Sequence, residues 1–489
     1  MTLYSKTAHE LIDNIKQNKI SPKELLDSVF KRIEAVEDKV QGFISYDKES
    51  AYKQLEKIEK KHKKGRVYGI PVVIKDNICF KGHKTTCASK ILYGKNGGYI
   101  SPYSATVVEK LINEDAIIIG ASNMDEFAMG SSTENSGIKL THNPWDLDRV
   151  PGGSSGGSAA LVSADETIFA LGSDTGGSIR QPASFCGIVG LKPIYGEVSR
   201  YGLIAFASSL DQIGPLTKDV TDAALVMDII SGHDPKDSTS IPASSNIYGK
   251  YMSFLKNDVS GITIGFPKEC KMEGLDPEVE NAYDNAKKLY KSWGAKVVDV
   301  SLPHIDYSVA AYYIIATAEA SSNLARFDGV QYGHRSGNAK NLIDMYFKTR
   351  EEGFGPEVKR RILLGSYVLS SGYYDAYYKK AQKVRTLIKQ DFEELFKQKG
   401  IDCLVLPTAP SAAFKIGEKI ADPLQMYLSD IFTISANLAG LPAISLPGGF
   451  TKKGLPIGMQ IIADSEDKLF QAGYTFEQRT DYHTKRPGL

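Results

Sequence analysis

Residues 151–190 read PGGSSGGSAALVSADETIFALGSDTGGSIRQPASFCGIVG, two glycine-serine loops with a short patterned stretch between them. Small residues at about 157–163 predict a closely packed helix, and the apolar run at about 167–172 predicts a buried strand. Glycines permit positive φ and close backbone approach, so loops of this kind can aim consecutive N–H groups at one point. Such a point suits an anion, either a phosphate or the oxyanion of acyl transfer.

Three chemistries compete for these loops. A phosphate-binding P-loop requires a lysine after its last glycine, and neither loop has one. Gly152-Gly153-Ser154-Ser155-Gly156 satisfies the pattern of a nucleophile elbow, but an elbow needs a strand directly before its serine. The preceding residues, Asn143 to Pro151, contain two prolines and three charges and do not read as a strand. The third reading uses both loops. Ser178, in Asp174-Thr175-Gly176-Gly177-Ser178, follows the expected strand and stands at its carboxyl end, where α/β sites sit. Either loop alone reads as a tight turn; the pair, with a lysine to serve it, reads as a site.

That lysine lies outward along the chain. Ile70-Pro71-Val72-Val73-Ile74 is an apolar run ending in Lys75-Asp76-Asn77. A serine hydroxyl needs a proton acceptor before it attacks a carbonyl. Lys75 could supply one if buried and neutral, which requires its pKa to fall by about three units, or roughly 4 kcal/mol. Ser154 could stand between Lys75 and Ser178 as a relay.

Further outward, apolar runs at 116–120, 167–172, 261–265, 296–300 and 403–406 read as strands, with helical patterns between several of them, notably 278–293. Such alternation predicts an α/β protein around a largely buried sheet. The first 66 residues read as helical: Thr7 with Glu10 forms a capping box, and Ser21-Pro22-Lys23-Glu24 combines an N-cap with proline at N1. A third helix is expected from 48 to 64, with its lysine run (Lys60, Lys61, Lys63, Lys64) on a solvated face. No linker or internal repeat divides the chain. It is read as one domain: a helical portion over 1–66, a core over 67–220, and the rest of the sheet with the substrate pocket over 221–489.

A formal net charge of +1 over 489 residues gives no electrostatic case for nucleic acid or membrane as a direct partner. Five scattered cysteines without a C-x-x-C pair speak against a disulfide framework or structural zinc and fit a reducing, cytoplasmic setting. The uncharged stretch 431–450 is as long as a membrane span, yet Gly440, Pro442, Pro447, Gly448 and Gly449 interrupt it, so it reads as buried helix, turn and strand.

The run 152–192, with Val73-Ile74-Lys75-Asp76-Asn77 upstream, resembles the amidase signature family. The resemblance implies an α/β fold built on a large mixed β-sheet covered by helices. It also implies a triad: Ser178 as acyl-forming nucleophile, Ser154 as bridging serine after a cis peptide, and Lys75 as base. The backbone N–H groups of Thr175, Gly176, Gly177 and Ser178 would form the oxyanion hole, with no metal. Asn123-Met124-Asp125-Glu126-Phe127, the run 319–333 and Ser371-Gly372-Tyr373-Tyr374 are similar to one branch of that family, the glutamine-hydrolysing subunits of tRNA-dependent amidotransferases.

Membership of that branch implies hydrolysis of glutamine through a glutamyl ester on Ser178. The ammonia passes to a B subunit, which holds ATP and Mg and converts mischarged Glu-tRNA(Gln), Asp-tRNA(Asn) or both, while a C subunit clasps the other two. This chain itself would bind no cofactor and meet tRNA mainly through the B subunit. Glutamine is a zwitterion, so Arg361 is the expected clamp for its carboxylate, Asp430 the partner of its ammonium, and Tyr312 a lining residue. The alternatives are a free-standing amidase for another small amide, and a scaffold that uses the loops only structurally.

Overall fold

The apolar runs on either side of the glycine-serine loops become neighbouring strands of one large sheet. The computed structural model describes residues 2–245 and 248–489. In chain order its strands are β1 (Phe43–Tyr46), β2 (Pro71–Lys75), β3 (Lys84–Thr85), β4 (Tyr99–Ile100), β5 (Ile117–Ser122), β6 (Phe169–Asp174), β7 (Val189–Lys192), β8 (Gln212–Thr217), β9 (Thr263–Pro267), β10 (Lys296–Val300), β11 (Cys403–Pro407), β12 (Ala443–Phe450) and β13 (Pro456–Ala463). β3 and β4 pair separately; the other strands form an eleven-stranded sheet in the order β1-β5-β2-β6-β8-β7-β12-β13-β11-β9-β10.

The sheet is mixed, as the sequence resemblance implied. β2 runs parallel to β5 and β6, and β9 runs parallel to β10 and β11, while β6, β8, β7, β12, β13 and β11 pair antiparallel in turn. Central strands β2, β6, β8, β11 and β13 are buried at every position, which explains the near-continuous apolar runs of β2 and β11. The edge strand β10 has no buried position: Lys296 and Asp299 are exposed and the rest half-buried. β7 and β8 escape a reading by pattern because Gly190, Gly214 and Pro215 interrupt them; sheet packing on both sides overrides their weak local preference.

Both expected capping boxes form, at Thr7 and Glu10 and at Ser21 and Glu24, starting the helices Ala8–Lys16 and Pro22–Val40. The first helix is also tethered by a distant carboxylate: Asp222 accepts the N–H groups of Ala8 at 2.6 Å and His9 at 2.9 Å. His9 Nδ1 lies 2.9 Å from the same Asp222 and 3.5 Å from Asp219. A carboxylate at a helix N-terminus satisfies unpaired donors and the local dipole, so this cluster holds the helix to the core. The third helix stops at Glu59, short of position 64, because Lys64 Nζ turns back to donate to Ile58 O and Glu59 O, both at 2.9 Å.

The uncharged stretch 431–450 resolves into helix Ile434–Ala439, a turn at Gly440 and strand β12. Among the described residues no helix is long and apolar enough to cross a membrane. All five cysteines are buried and unbonded. Beside the sheet, helices Ser308–Asn323, Leu342–Gly353, Pro356–Leu369 and Lys380–Glu393 build a separate layer.

Candidate active site

Lys75 is the last residue of β2, which runs parallel to β6, and its side chain reaches past the end of that pairing to Ser173. Its Nζ lies 2.7 Å from Ser154 Oγ, 2.9 Å from Ser155 Oγ and 3.0 Å from Ser173 Oγ. The side chain is fully buried. Burial lowers its pKa to about 7, against the charges of Asp125, Asp174 and Asp211, which raise it. A neutral amine has two N–H donors and one lone pair. Ser155 Oγ already donates to Ser173 O at 3.1 Å, and Ser173 Oγ already accepts from Asn77 Nδ2 at 3.0 Å. Ser155 Oγ, its own proton committed, therefore accepts an N–H of the amine, and in the neutral amine the lone pair can turn to the Ser154 hydroxyl. This arrangement makes Lys75 able to draw a proton from Ser154.

Ser154 follows a cis peptide bond from Gly153. The turn is held by Gly153 N–H donating to Gln181 Oε1 at 2.9 Å and by Asp125 N–H donating to Ser154 O at 3.3 Å. The two glycine-serine loops meet through their backbones, Ser155 N–H donating to Ser178 O at 3.1 Å. Ser178 is 8% exposed while Ser154 and Lys75 are at 0%, so of the three it is the one open to a substrate. Among the described residues no hydrogen bond joins the Ser154 and Ser178 hydroxyls; the formed links are Lys75–Ser154 and the backbone contact.

The loop after β6 is wrapped around Asp174. Its carboxylate accepts the N–H groups of Gly177 at 2.9 Å and Ile179 at 3.1 Å, pairs with Arg180 Nε and Nη2 at 3.1 Å, and accepts from Asn437 Nδ2 at 2.8 Å. Burial works to raise the Asp174 pKa, but Arg180 outweighs it and holds the carboxyl well below the usual range. Here the geometry departs from the sequence expectation: the Gly177 N–H faces Asp174, so it is not free to meet an oxyanion. Thr175 is held by its side chain, which donates to Asp211 Oδ1 at 2.8 Å. Gly177 has φ +134°, and a Cβ there would fall 2.2 Å from Thr433 Oγ1. Only glycine fits both constraints.

Tyr312, on helix Ser308–Asn323, packs its ring over the same loop: a Cβ at Gly176 would fall 2.7 Å from the ring. The turn that carries Asp430 meets the loop through Thr433, whose N–H donates to Asp430 O at 3.0 Å. Thr433 Oγ1 donates to Gly176 O at 2.7 Å, and Arg180 Nη1 donates to Thr433 O at 3.0 Å. Asp430 Oδ2 accepts from Ser131 Oγ, whereas Oδ1 is buried without a partner among the described residues. Burial raises its pKa to about 7, opposed by Ser131 and by Arg361. A buried carboxylate with one oxygen unsatisfied favours an incoming donor.

Arg361 is 2% exposed and its Nε donates to Glu357 Oε1 at 2.8 Å. Its guanidinium lies over the rings of Tyr313, Tyr427 and Phe206, with centroids at 5.1, 5.5 and 5.6 Å. The fork nitrogens Nη1 and Nη2 make no hydrogen bond to the described residues. The structure thus gathers Lys75 with Ser154, and Tyr312 and Thr433 against the Ser178 loop, with Arg361 close enough to act electrostatically on Asp430 and Tyr312.

Reading by residue pattern missed Ser155, Ser173, Asp174, Arg180 and Asn437 around the loops, and Ser131, Thr433, Glu357 and Tyr427 around the pocket. Ser155 and Ser173 stand inside the glycine-serine stretch, but only the folded arrangement brings their hydroxyls to Lys75. Glu357 carried a legible signal, four residues before Arg361 on one helix. Asn437 carried none.

With this geometry in hand, comparisons with known proteins are direct. The Amidase family model matches residues 24–468. The chain is 61% identical to the A subunit of glutamyl-tRNA(Gln) amidotransferase from Thermodesulfovibrio yellowstonii over 485 residues, 98% of each chain. It also superposes on the crystal structure of the A subunit of glutamyl-tRNA(Gln) amidotransferase from Thermotoga maritima with a TM-score of 0.80 at 45% identity, covering 98% of this chain and 96% of that one. A bacterial aryl acylamidase of the amidase signature family shares the fold with a TM-score of 0.84 at 25% identity, covering 99% of each chain. A family match spanning nearly the full length, on a fold that places a buried lysine against the first glycine-serine loop, leaves one conclusion: this chain belongs to the amidase signature family.

Proposed function

We propose that this chain is the glutaminase subunit of a tRNA-dependent amidotransferase, and that Ser178, Ser154 and Lys75 carry its chemistry. The observation that carries the reading is the fully buried Lys75 amine, 2.7 Å from Ser154 Oγ and able to be neutral near pH 7. Lys75 takes the Ser154 hydroxyl proton as Ser154 takes the proton of Ser178, and Ser178 Oγ adds to the carboxamide carbon of glutamine. The negative charge on the carbonyl oxygen meets the N–H groups of Thr175, Gly176 and Ser178, since that of Gly177 is committed to Asp174. Collapse expels the amide nitrogen, which receives the relayed proton and leaves as ammonia. Water then cleaves the glutamyl ester, releasing glutamate and returning the hydroxyl of Ser178.

Closing the Ser178–Ser154 contact belongs to the substrate complex, because catalytic hydrogen bonds are commonly long before substrate arrives. Arg361 offers its two free nitrogens to the glutamine carboxylate, the unsatisfied oxygen of Asp430 takes the ammonium, and Tyr312 lines the wall. In this reading the ammonia serves a cytoplasmic complex with B and C subunits, where ATP and Mg reside on B and mischarged tRNA is amidated. The full-length likeness to proteins named as the A component of such an enzyme supports it.

Mass spectrometry of the chain after brief incubation with glutamine tests this directly. A glutamyl adduct on Ser178, absent in Ser178→Ala, is expected; an adduct elsewhere overturns the nucleophile. The likeness to an aryl acylamidase keeps a second reading, a free-standing amidase, in play. Turnover of simple aryl amides that ignores added B, C, ATP and mischarged tRNA would favour it. Glutaminase activity that rises on adding them would not.

A further inference from the structure

Recognising a zwitterion requires a cation and an anion at a fixed separation, and the two candidates sit on different elements. Arg361 is on helix Pro356–Leu369, and Asp430 follows helix Pro423–Leu428. One side chain joins them. Glu357 Oε1 accepts from Arg361 Nε at 2.8 Å and from the Tyr427 hydroxyl at 2.9 Å. Tyr427 lies three residues before Asp430, whose N–H donates to Tyr427 O at 3.3 Å. The Tyr427 ring stacks on Tyr313 with centroids 3.9 Å apart, and both rings lie against the Arg361 guanidinium. Glu357 Oε2 pairs with Arg360 and is turned away from this contact.

We infer that Glu357 is a positioning residue that fixes the distance between Arg361 and Asp430, and so makes the site selective for α-amino-acid amides over amides bearing a single charge. This rests on the glutamine reading given above. By occupying Nε, Glu357 presents the two remaining nitrogens of Arg361 outward as a fork. By holding the Tyr427 hydroxyl on the same oxygen, it ties the turn carrying Asp430 to that fork. A substrate with both charges needs both anchors in register. A substrate with only one can shift to follow its own anchor.

The test uses the full-length chain with three substrates: glutamine, glutaramate (which lacks the ammonium) and 4-aminobutanamide (which lacks the carboxylate). Glu357→Gln is expected to raise the KM for glutamine by about 10- to 100-fold, the range of a lost hydrogen bond to a charged group, with kcat within about threefold. The kcat/KM for either single-charge amide should change by less than about threefold. Tyr427→Phe keeps the ring stack and removes one bond, so a KM rise of about fivefold is expected. It also keeps the inference open to refutation should Glu357→Gln fail to fold. Glu357→Asp should recover part of the glutamine KM.

An equal fall for all three substrates would assign Glu357 a purely structural role and overturn the inference, as would an unchanged glutamine KM in both variants. Failure of the unaltered chain to hydrolyse glutamine is a separate outcome, because it removes the glutamine reading itself.

Discussion

Residues 150–193 and the helices between residues 342 and 393 are two ways of building half a site. Every residue of the first segment is buried. Its loops are fixed by charged and hydroxyl groups turned inward, with Asp174, Arg180 and Asn437 interlocked behind Ser178. The second set is a helical layer that leaves large apolar side chains outside: Leu342, Ile343, Phe347 and Leu363 are each 62–72% exposed. Yet the same layer supplies the almost fully buried Arg361. The contrast separates chemistry from recognition. Bond-making groups sit in a fully buried frame, while the group expected to choose the substrate sits on a helix whose other face is exposed.

The comparison breaks first, and most severely, at Ser178 and Lys75. Ser178→Ala or Lys75→Met should lower kcat by about 10³-fold or more, because groups that act as one unit lose nearly everything together. The double variant should be hardly worse than either single one. Steady-state and single-turnover rates measure this; additive losses would mean that the two residues do not share a proton path.

Recognition should fail differently. Arg361→Ala or Asp430→Asn is expected to raise the glutamine KM by about 10- to 100-fold with a smaller effect on kcat, as expected for removing a hydrogen bond to a charged group. If kcat falls as far as KM rises, the helical layer takes part in the chemical step and the division between the two regions is wrong.

A change of pH probes both halves at about tenfold per unit. Lys75 must be neutral to accept a proton, and burial lowers its pKa from 10.5 to about 7. Activity should therefore fall as pH drops through about 7 and level off above it. Stability has the same sign for this group: its contribution is present above the unfolded pKa and is lost as pH falls toward the folded one. Asp430 titrates in the same region, its pKa raised to about 7 by burial. Its protonation should appear in KM, while that of Lys75 appears in kcat. A pH-independent kcat between 6 and 8 would remove Lys75 as the base.

How much of this was legible in the sequence follows the same division. The buried frame announced itself: apolar runs give β2, β5, β6 and β11 within a few residues, because strands covered on both faces tolerate little else. Local chemistry placed the capping boxes at Thr7 and Ser21. What stayed hidden depends on pairing across the sheet. Nothing local says that Ser173 faces Lys75 rather than the opposite side, since a one-residue slip would reverse it. The commitment of the Gly177 N–H to Asp174 is likewise a matter of loop geometry, and a glycine-rich sequence permits many loop geometries. Arg361 and Asp430 were placed by resemblance, and Glu357 was not placed at all, although it stands four residues before Arg361 on one helix.

The smallest expected effect is the sharpest check on the outward face. Leu363 is two residues from Arg361 on one helix, and that spacing points the two side chains in different directions. Arg361 is 2% exposed and Leu363 is 71% exposed. Replacing an exposed leucine removes no packing, so Leu363→Ser should change the stability of the isolated chain by no more than about 0.5 kcal/mol. The glutamine KM should stay within about twofold. Denaturant midpoints and glutamine kinetics read both. A loss near 2 kcal/mol would mean that Leu363 is covered in solution, and the open face would then be a covered one. A shift in KM at unchanged stability would carry a different lesson: the outward face of the helix, although largely exposed, helps to set where Arg361 points.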